Sequence, residues 1–399
     1  MSNINYKSTL HACYLGYITQ ALIVNLPPLL FVVFREKFGL SYTMLGSIVM
    51  LIFVTQLIVD ALAVEYVDKI GHRTSAVMAH AFAAVGMIAL AFLPRVLPYP
   101  FIGLIISSIL FSIGGGLIEV LVSPIVESLP SEAKASSMSL LHSFYSWGQV
   151  LVIILSTLAL LFLGQELWFF LPLVWSLLPL YTLFKFTRVP LIPPEEESKR
   201  TPLKTLFRSR IFLIALLLMI CSGASEQSMA QWASLFAEKG LGISKTLGDL
   251  LGPCLFAVMM GIVRTWYGMK GQKVHIHKIL VISSVLCMAS FVIAAIVPIP
   301  AISLLGCALC GLSVSLMWPG MLSLTAASYP SGGVAMFAIL ALAGDLGCSV
   351  GPQLIGIIAD SSSLNWGLLT AIIFPTIMLV GLVALKPIIG FAGKQRARS

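Results

Sequence analysis

The sequence predicts an all-α membrane protein whose chain crosses the bilayer twelve times, in two six-helix bundles. Of its 399 residues, 58% are hydrophobic and only 10% are charged. A soluble domain carries about 25% charged residues because its surface must be wetted. The mean hydropathy is +1.00. These values argue against a water-soluble enzyme, a disordered chain or a nucleic-acid-binding protein, and they predict an outer surface that faces lipid.

Apolar runs separated by charged residues, Pro or Gly supply the twelve predicted spans. Each run reaches the length of about 20 residues that a transmembrane helix needs. In the first half of the chain the runs are 10–34, 43–66, 74–94, 101–128, 136–163 and 167–187. In the second half they are 211–237, 247–268, 278–298, 301–325, 334–358 and 366–388.

The long polar stretch between the two sets of spans contains the sequence PPEEESKR and is typical of a solvated linker. The predicted organisation is therefore an N-terminal bundle at 1–187, a cytoplasmic linker at 188–210 and a C-terminal bundle at 211–399 with a short basic tail.

The basic residues predict the orientation of the chain. With both termini in the cytoplasm, 5 of the 24 lysines and arginines lie outside and 24 − 5 = 19 lie inside, which follows the positive-inside rule. The five outer residues are Arg35, Lys37, Arg95, Lys239 and Lys245. The net charge of +8 thus reflects topology in the cell membrane, and no nucleic-acid partner is expected.

The two halves repeat each other at an offset of 200 residues. Gly71, in a basic turn, aligns with Gly271, and Pro130-Ser131 aligns with Pro330-Ser331. Internal duplication with a binding site between the repeats is a common plan of transporters.

The turn between the second and third spans resembles the signature of the major facilitator superfamily, G-x-x-x-D-R/K-x-G-x-R/K. Asp68, Lys69, Gly71 and Arg73 match it, and Val64 stands in place of the first Gly. The resemblance implies the major facilitator fold and a cytoplasmic gate formed by these four matching residues. Members are often monomers, so a monomer is expected.

Other segments are similar to the fucose:proton symporter family within that superfamily. Glu119 to Pro124 matches its E-x-x-x-x-P. Further matches are Leu140 to Gly148, Gly223 with Glu226 and Trp232, Trp318-Pro319, and Gly351-Pro352 with Gly356 and Asp360. The resemblance implies proton-driven uptake of neutral sugars by alternating access. The family's first-helix aspartate is absent here, and Asn25 is the nearest residue to its position.

Carboxyl groups deep in the predicted spans are the main functional candidates. An ionised side chain at the bilayer centre costs about 2.5 kcal/mol or more, so such groups are rare unless they act there. Four lie at depth: Asp60, Glu119, Glu226 and Asp345. Glu36, Glu166, Glu238, Asp249 and Asp360 lie near span ends, where solvation is expected.

Glu119 is the strongest candidate for proton coupling. It follows three glycines, Gly114 to Gly116, and Ser123 lies one turn further on the same helix face. The resemblance places the proton-carrying glutamate of the family at this position. The alternative is a structural carboxyl group bonded to a neighbouring helix.

His142, Tyr145 and Gln149 form a polar stripe on the fifth span, at positions i, i+3 and i+7. His142 can titrate near neutral pH, so it can relay a proton with Glu119 or hydrogen-bond a hydroxyl group. Glu226, close to the repeat equivalent of Asn25 (226 − 25 = 201), can replace the missing aspartate. The predicted proton-coupling residues are Glu119, His142 and Glu226.

The solute is expected to be neutral, because no lysine or arginine is placed near mid-membrane and Arg264 falls toward the cytoplasmic end of its span. Amides suit vicinal hydroxyls and aromatic faces suit a sugar ring. The predicted substrate-binding residues are Asn25, Tyr145, Gln149, Gln227, Gln231, Trp232, Trp318 and Asp345. No metal or cofactor is expected.

The sequence thus predicts a secondary transporter that couples protons to the uptake of a small neutral polyhydroxylated solute of the hexose type. The alternative is a proton-coupled antiporter that exports a cationic or amphipathic compound, since carboxylates and aromatics also bind organic cations. The sequence contains no H-E-x-x-H and no nucleotide-binding motif, and an enzyme is not expected.

Overall fold

The computed structural model describes residues 6–129, 134–192, 206–270, 275–329 and 333–396, and side chains at some helical positions are left undescribed. Within these ranges the chain is helical and contains no β-strand. Eleven helices are long and apolar enough to cross a membrane, and a bent pair at the start of the chain makes twelve. The predicted all-α membrane fold is confirmed.

The N-terminal half, residues 6–192, supplies spans 1 to 6. A 3₁₀ turn at Gln165–Leu167 precedes span 6. The helices are Lys7–Leu29 with Phe31–Phe38 (span 1), Tyr42–Ile70 (span 2), His72–Val96 (span 3), Pro100–Ser128 (span 4), Lys134–Leu163 (span 5) and Phe170–Trp175 with Leu177–Arg188 (span 6).

The C-terminal half, residues 206–396, supplies spans 7 to 12. Short π-helical segments extend span 7 and interrupt span 8. The helices are Arg210–Leu235 with Phe236–Gly240 (span 7), Lys245–Asp249 with Leu250–Cys254 and Leu255–Lys270 (span 8), Ile276–Ile296 (span 9), Pro300–Val314 with Met317–Ser328 (span 10), Gly333–Ser361 (span 11) and Leu364–Thr370 with Ile373–Arg396 (span 12).

Local sequence accounts for several helix ends and one bend. Span 1 contains Pro27 and Pro28 and bends by 42° between its two helices, because proline removes backbone hydrogen bonds within a helix. The Ser41 hydroxyl accepts the N–H of Met44 at the start of span 2. Gly71 ends span 2 with φ +90°, a conformation that glycine adopts at little steric cost.

Apolar side chains form the outer surface of the helices, as a lipid-facing surface requires. Leu62, Phe162 and Val380 are 52%, 81% and 65% exposed. Many Ser, Thr, Gln, Asp and Glu side chains are instead buried between helices. The polar chemistry of the chain is therefore directed inward.

We call the face of the helix bundle that carries the two chain ends the terminal face, and the other face the opposite face. The two halves are in close contact at the opposite face. Span 2 packs along span 11. A Cβ atom at Gly356 would lie 2.6 Å from the carbonyl oxygen of Tyr42, and one at Gly46 would lie 3.2 Å from that of Pro352. Glycine at these positions permits the close approach.

Polar contacts also join the halves at the opposite face. The Asp360 carboxylate, at the end of span 11, accepts the backbone N–H groups of Tyr42 at 2.9 Å and Thr43 at 2.6 Å. Lys239 at the end of span 7 forms an ion pair with Glu36 at the end of span 1. The division into two moving bundles, 1–187 and 211–399, stays a prediction.

Candidate functional site

Three carboxyl groups from both halves converge in the interior of the helix bundle, and we call them the carboxyl cluster. They are Asp60 on span 2, Glu119 on span 4 and Asp345 on span 11. One carboxylate oxygen from each lies within 4.8 Å of the other two. Asp60 is 8% exposed, Asp345 is 3% exposed and Glu119 is partly buried. The helix contacts between spans 2, 4 and 11 therefore bring together groups that are far apart in sequence.

Charge repulsion in the carboxyl cluster is not offset by a basic side chain in the part of the chain that the structure describes. The ion pairs of the described residues involve other carboxylates. Buried carboxylates this close cannot all stay charged, so the cluster requires bound protons or another cation.

Amide side chains surround the cluster on spans 1 and 2. Gln20 Nε2 donates to Glu119 Oε2 at 3.3 Å. Gln56 is 1% exposed, and neither atom of its amide has a hydrogen-bond partner among the described residues. The polar environment of Glu119 also includes Tyr17, whose hydroxyl lies 3.0 Å from the Ser123 hydroxyl.

A second polar site links spans 7 and 8 to span 5. Arg264 Nη2 donates to Glu226 Oε2 at 2.8 Å, and the two side chains are 16% and 9% exposed. The Arg264 guanidinium also bonds the carbonyl oxygen of Ser315 at 3.1 Å and the hydroxyl of Ser146 at 3.4 Å. Ser146 belongs to the N-terminal half, so this cation lies between the halves.

The expectation that no basic side chain reaches the interior is therefore wrong. Arg264 starts near the terminal face of span 8, but its long side chain extends along the helix to Glu226. Since Glu226 neutralises the guanidinium, the pair adds no net charge to the interior. The proton-coupling role of Glu226 stays a prediction, and the structure shows its carboxylate ion-paired with Arg264.

The predicted substrate residues of spans 1 and 5 lie near one another. Tyr145 on span 5 is partly buried and lies close enough to Asn25, Glu226 and Arg264 to interact with them electrostatically. Asn25 also donates from Nδ2 to the carbonyl oxygen of Ala21 at 2.8 Å. Gln149, one turn beyond Tyr145, is 2% exposed. These groups place hydroxyl and amide chemistry beside the ion pair.

The predicted substrate residues of span 7 are buried against span 1. Gln231 Nε2 donates to Gln227 Oε1 at 2.9 Å and to the carbonyl oxygen of Val24 at 3.3 Å. Trp232 is fully buried, donates to the carbonyl oxygen of Pro352 at 3.0 Å and packs against Phe31 and Tyr42. Trp232 therefore packs between the two halves.

The remaining predicted substrate residues are Trp318 and Asp345. Trp318 on span 10 is partly buried, and its ring lies against Gly344, where a Cβ atom would come within 2.2 Å. Asp345, the next residue, lies in the carboxyl cluster. The structure thus brings Asp345 together with predicted proton-coupling Glu119.

Two of the predicted gate residues, Arg73 and Lys69, have described side-chain contacts. Arg73 donates to the carbonyl oxygens of Phe186 and Val189, at 2.8 Å each, at the end of span 6. Lys69 lies 5.1 Å from the centre of the Tyr66 ring. The side chains of predicted residues Asp68 and His142 lie outside the described part of the structure.

Asp249 is fully buried, and the expectation that it is solvated at a span end is wrong. Its carboxylate accepts Lys245 Nζ on both oxygens, at 2.6 and 2.7 Å, and the hydroxyl of Ser234. The Thr157 hydroxyl, from the N-terminal half, donates to it at 3.0 Å. We call these four residues the Asp249 network. The network satisfies a buried charge and joins span 5 to spans 7 and 8.

Sequence reasoning left Gln20 and Gln56 out of the site and did not assign a role to Asp60. The available signal was the position of Gln56, one turn before Asp60 on the same helix face. An amide and a carboxyl group in an apolar span form an inward-facing polar stripe. The arrangement can exchange protons or hold a cation at the carboxyl cluster, and it can hydrogen-bond a solute beside Arg264 and Glu226.

The sequence matches the family model of the Major Facilitator Superfamily over residues 13–352. No curated protein matched the sequence. Among solved structures, a D-xylose-proton symporter superposes on this chain with a TM-score of 0.75. The two sequences are 17% identical, and the match covers 94% of this chain and 96% of that chain.

Two further structures match with the same TM-score of 0.75. A bacterial homologue of the human lysosomal transporter Spinster, in an inward-facing and occupied conformation, is 12% identical with 95% and 96% coverage of the two chains. The nucleoside transporter NupG is 13% identical with 96% and 99% coverage. At these identities the structures share the fold. Since the family model covers most of the sequence, the chain belongs to the Major Facilitator Superfamily of membrane transporters.

Proposed function

We propose that the protein is a secondary active transporter that couples proton movement to the uptake of a small neutral polyhydroxylated solute. The observation that carries this proposal is the carboxyl cluster, whose members come from both halves and have no basic partner among the described residues. Protonation neutralises such a cluster and deprotonation restores repulsion across the interface between the halves. Glu119 is the proposed proton carrier because it lies in the cluster and also contacts Gln20.

The proposed solute site lies beside the cluster, around Asn25, Tyr145 and the pair formed by Glu226 and Arg264. Hydroxyl groups of a solute can exchange hydrogen bonds with the Tyr145 hydroxyl and with the Asn25 amide, which donates to the carbonyl oxygen of Ala21. The ion pair is neutral overall, so it favours a neutral solute over an anion. Gln149, Gln227, Gln231 and Trp318 are proposed to complete the site in other conformations.

The proposed cycle is alternating access, with residues 1–187 rocking against 211–399. The present contacts at the opposite face, including those of Asp360 and Lys239, support an assignment as the state closed toward that face. With both termini proposed to be cytoplasmic, this state faces inward. Asp68, Lys69, Gly71 and Arg73 are proposed to gate the terminal face, and the transporter is proposed to act as a monomer.

The fucose:proton symporter family supplies a finer hypothesis, proton-driven uptake of a hexose-type sugar. D-Xylose and nucleosides, named for two proteins of the same fold, are likewise neutral and hydroxylated. They provide solutes for a first panel. Export of an organic cation is the second candidate, favoured by the acidic cluster without a basic partner among the described residues and by Tyr145, whose ring can bind a cation.

The experiment is proton movement in proteoliposomes that contain the purified chain and a pH-sensitive dye. Neutral sugars, nucleosides and organic cations are added in turn. Uptake coupled to protons predicts alkalinisation of the outer medium when one neutral solute is added. Proton release from acidic vesicles on adding a cation, with no response to the neutral solutes, would contradict symport and support antiport.

A matched pair of variants makes the experiment specific. Glu119→Gln removes the proposed proton carrier, whereas Glu166→Gln makes the same change at a side chain that is 88% exposed. The alkalinisation should disappear in the first variant and persist in the second. Loss in both variants, or in neither, would contradict the role of Glu119.

A further inference from the structure

The carboxyl cluster and its neighbouring amides present more oxygen atoms than a proton carrier uses. We propose that this group is a sodium site, formed by Asp60, Glu119, Asp345, Gln20 and Gln56, in which Na⁺ takes the place of the coupling proton. The exchange with the coupling proton rests on the proposed function, whereas the binding of Na⁺ does not.

Unpartnered oxygen atoms are the first argument. Gln20 Oε1, Gln56 Oε1, Asp60 Oδ1 and Asp345 Oδ2 have no hydrogen-bond partner among the described residues. Their side chains belong to residues that are only 6%, 1%, 8% and 3% exposed. A buried polar atom without a partner is costly, and one cation satisfies several such oxygens together.

The separation of the carboxylate oxygens is the second argument. Because the three atoms lie within 4.8 Å of one another, some point lies within about 2.8 Å (4.8 Å divided by √3) of all three. Hard cations bind oxygen at about 2.3–2.6 Å, so side-chain shifts of a few tenths of an ångström complete the contacts. Carboxylate and carbonyl oxygens are the ligands such cations prefer.

Two glycines bring the amides to the same place. A Cβ atom at Gly115 would lie 2.4 Å from Gln56 Nε2 and 2.9 Å from Gln20 Oε1. One at Gly116 would lie 3.0 Å from Asp60 Oδ1. Glu119 lies one turn after Gly115 on the same helix face. Because glycine has no side chain, Gly115 and Gly116 leave space beside span 4. The side chains of Gln20, Gln56 and Asp60 occupy this space near Glu119.

Charge accounting favours a monovalent ion. Three ionised carboxylates within 4.8 Å of one another repel, and one proton held by Asp60 and Asp345 leaves one negative charge on that pair and one on Glu119. Either a proton or Na⁺ can neutralise Glu119, and each carries one positive charge. Exchange of one for the other therefore leaves the net charge of the cluster unchanged. Among the described residues, Tyr17 on span 1 and Cys348 on span 11 are titratable groups close to the cluster, and neither carries positive charge.

The test is calorimetric titration of NaCl into the purified full-length protein, with KCl, LiCl and CaCl₂ as separate titrants. Saturable Na⁺ binding is expected in alkaline buffer, and acidification should weaken it because protons occupy the same oxygens. No saturable heat with NaCl at any pH, or equal binding of KCl, would overturn the proposal. Tighter binding of CaCl₂ than NaCl would overturn the assignment to a monovalent ion.

Variants identify the residues. Gln56→Leu should weaken Na⁺ binding by about ten-fold or more, as loss of a group at a metal site does. Gln165→Leu, in the turn before span 6, is the matched control and should bind as the unmodified protein does. Asp60→Asn, which removes a proposed charged ligand, should also weaken Na⁺ binding. If that variant does not fold, Gln56→Leu still tests the site, because it changes no charge. Unchanged binding in Gln56→Leu would overturn the proposed ligand set.

The failures of the two proposals can be told apart. Solute-induced proton movement without any Na⁺ binding leaves the proposed function and overturns the sodium site. Na⁺ binding that Gln56→Leu weakens, without solute-induced proton movement, supports the site and overturns proton-coupled uptake.

Discussion

The Asp249 network and the carboxyl cluster both bury aspartates between the two halves, but only the first satisfies them. Asp249 accepts three groups, from Lys245, Ser234 and Thr157. Asp60 and Asp345 keep unpartnered oxygens and lie beside a third carboxyl group. The difference separates two uses of a buried charge. A satisfied charge holds helices together, whereas an unsatisfied charge is available for an ion that comes and goes.

The position of each group along the spans agrees with this difference. Asp249 lies toward the opposite face, where Asp360 and the pair of Lys239 and Glu36 also join the halves. The carboxyl cluster lies in the interior, on spans 2, 4 and 11. We infer that the first region stabilises one conformation and that the second sets when the protein leaves it.

The largest expected effect on stability is at the Asp249 network. Asp249→Leu leaves Lys245, whose side chain is 11% exposed, without its partner. Removing one member of a buried ion pair costs about 3–5 kcal/mol, so the thermal unfolding temperature in detergent should fall. The double variant Asp249→Leu, Lys245→Leu should recover most of the loss, because no unpaired charge remains. No loss in the single variant would show that the network does not stabilise this state.

The carboxyl cluster should respond in the opposite direction. Asp345→Asn removes a repulsive charge but keeps the shape of the side chain, so stability should rise by about 0.5–2 kcal/mol while transport falls. Thermal unfolding and solute accumulation measure the two effects on the same preparation. A variant that is less stable would mean that Asp345 is a structural carboxylate like Asp249.

The smallest effect is expected where the charges meet water. Asp360→Ala removes the acceptor at the start of span 2, and the exposed carboxylate contributes about 0.3–1 kcal/mol there. Lys239→Ala breaks an exposed ion pair and should cost less than about 1 kcal/mol. Spectroscopic distance measurements between labels on the two halves should show a modest increase in opening at the opposite face in Asp360→Ala. An effect as large as that of Asp249→Leu would remove the distinction between the two kinds of charge.

The fold was predictable because its signals are local. Apolar runs, and the basic residues that separate them, predict twelve spans. Most predicted span ends lie within a few residues of the observed helix ends. The signature around Gly71 predicted the superfamily that the family model confirms.

The candidate site was only partly predictable because it depends on contacts between distant spans. Depth within a span pointed to Asp60, Glu119 and Asp345 separately, yet nothing in their spacing shows that spans 2, 4 and 11 meet. Arg264 was misplaced because its reach depends on side-chain direction as well as sequence position. Asp249 was misplaced because a residue near a span end is buried only if a neighbouring half covers it.

Solute accumulation and counterflow by Glu119→Gln test the central claim, that an ionisable group in the carboxyl cluster couples ion movement to transport. The variant is compared with Glu166→Gln in proteoliposomes, with the solute that gives a proton signal. Accumulation driven by a pH gradient should collapse in Glu119→Gln, while exchange of solute across the membrane persists because the solute site is intact. Accumulation equal to that of the control would contradict coupling through Glu119, and loss of solute binding together with exchange would make Glu119 a solute ligand instead.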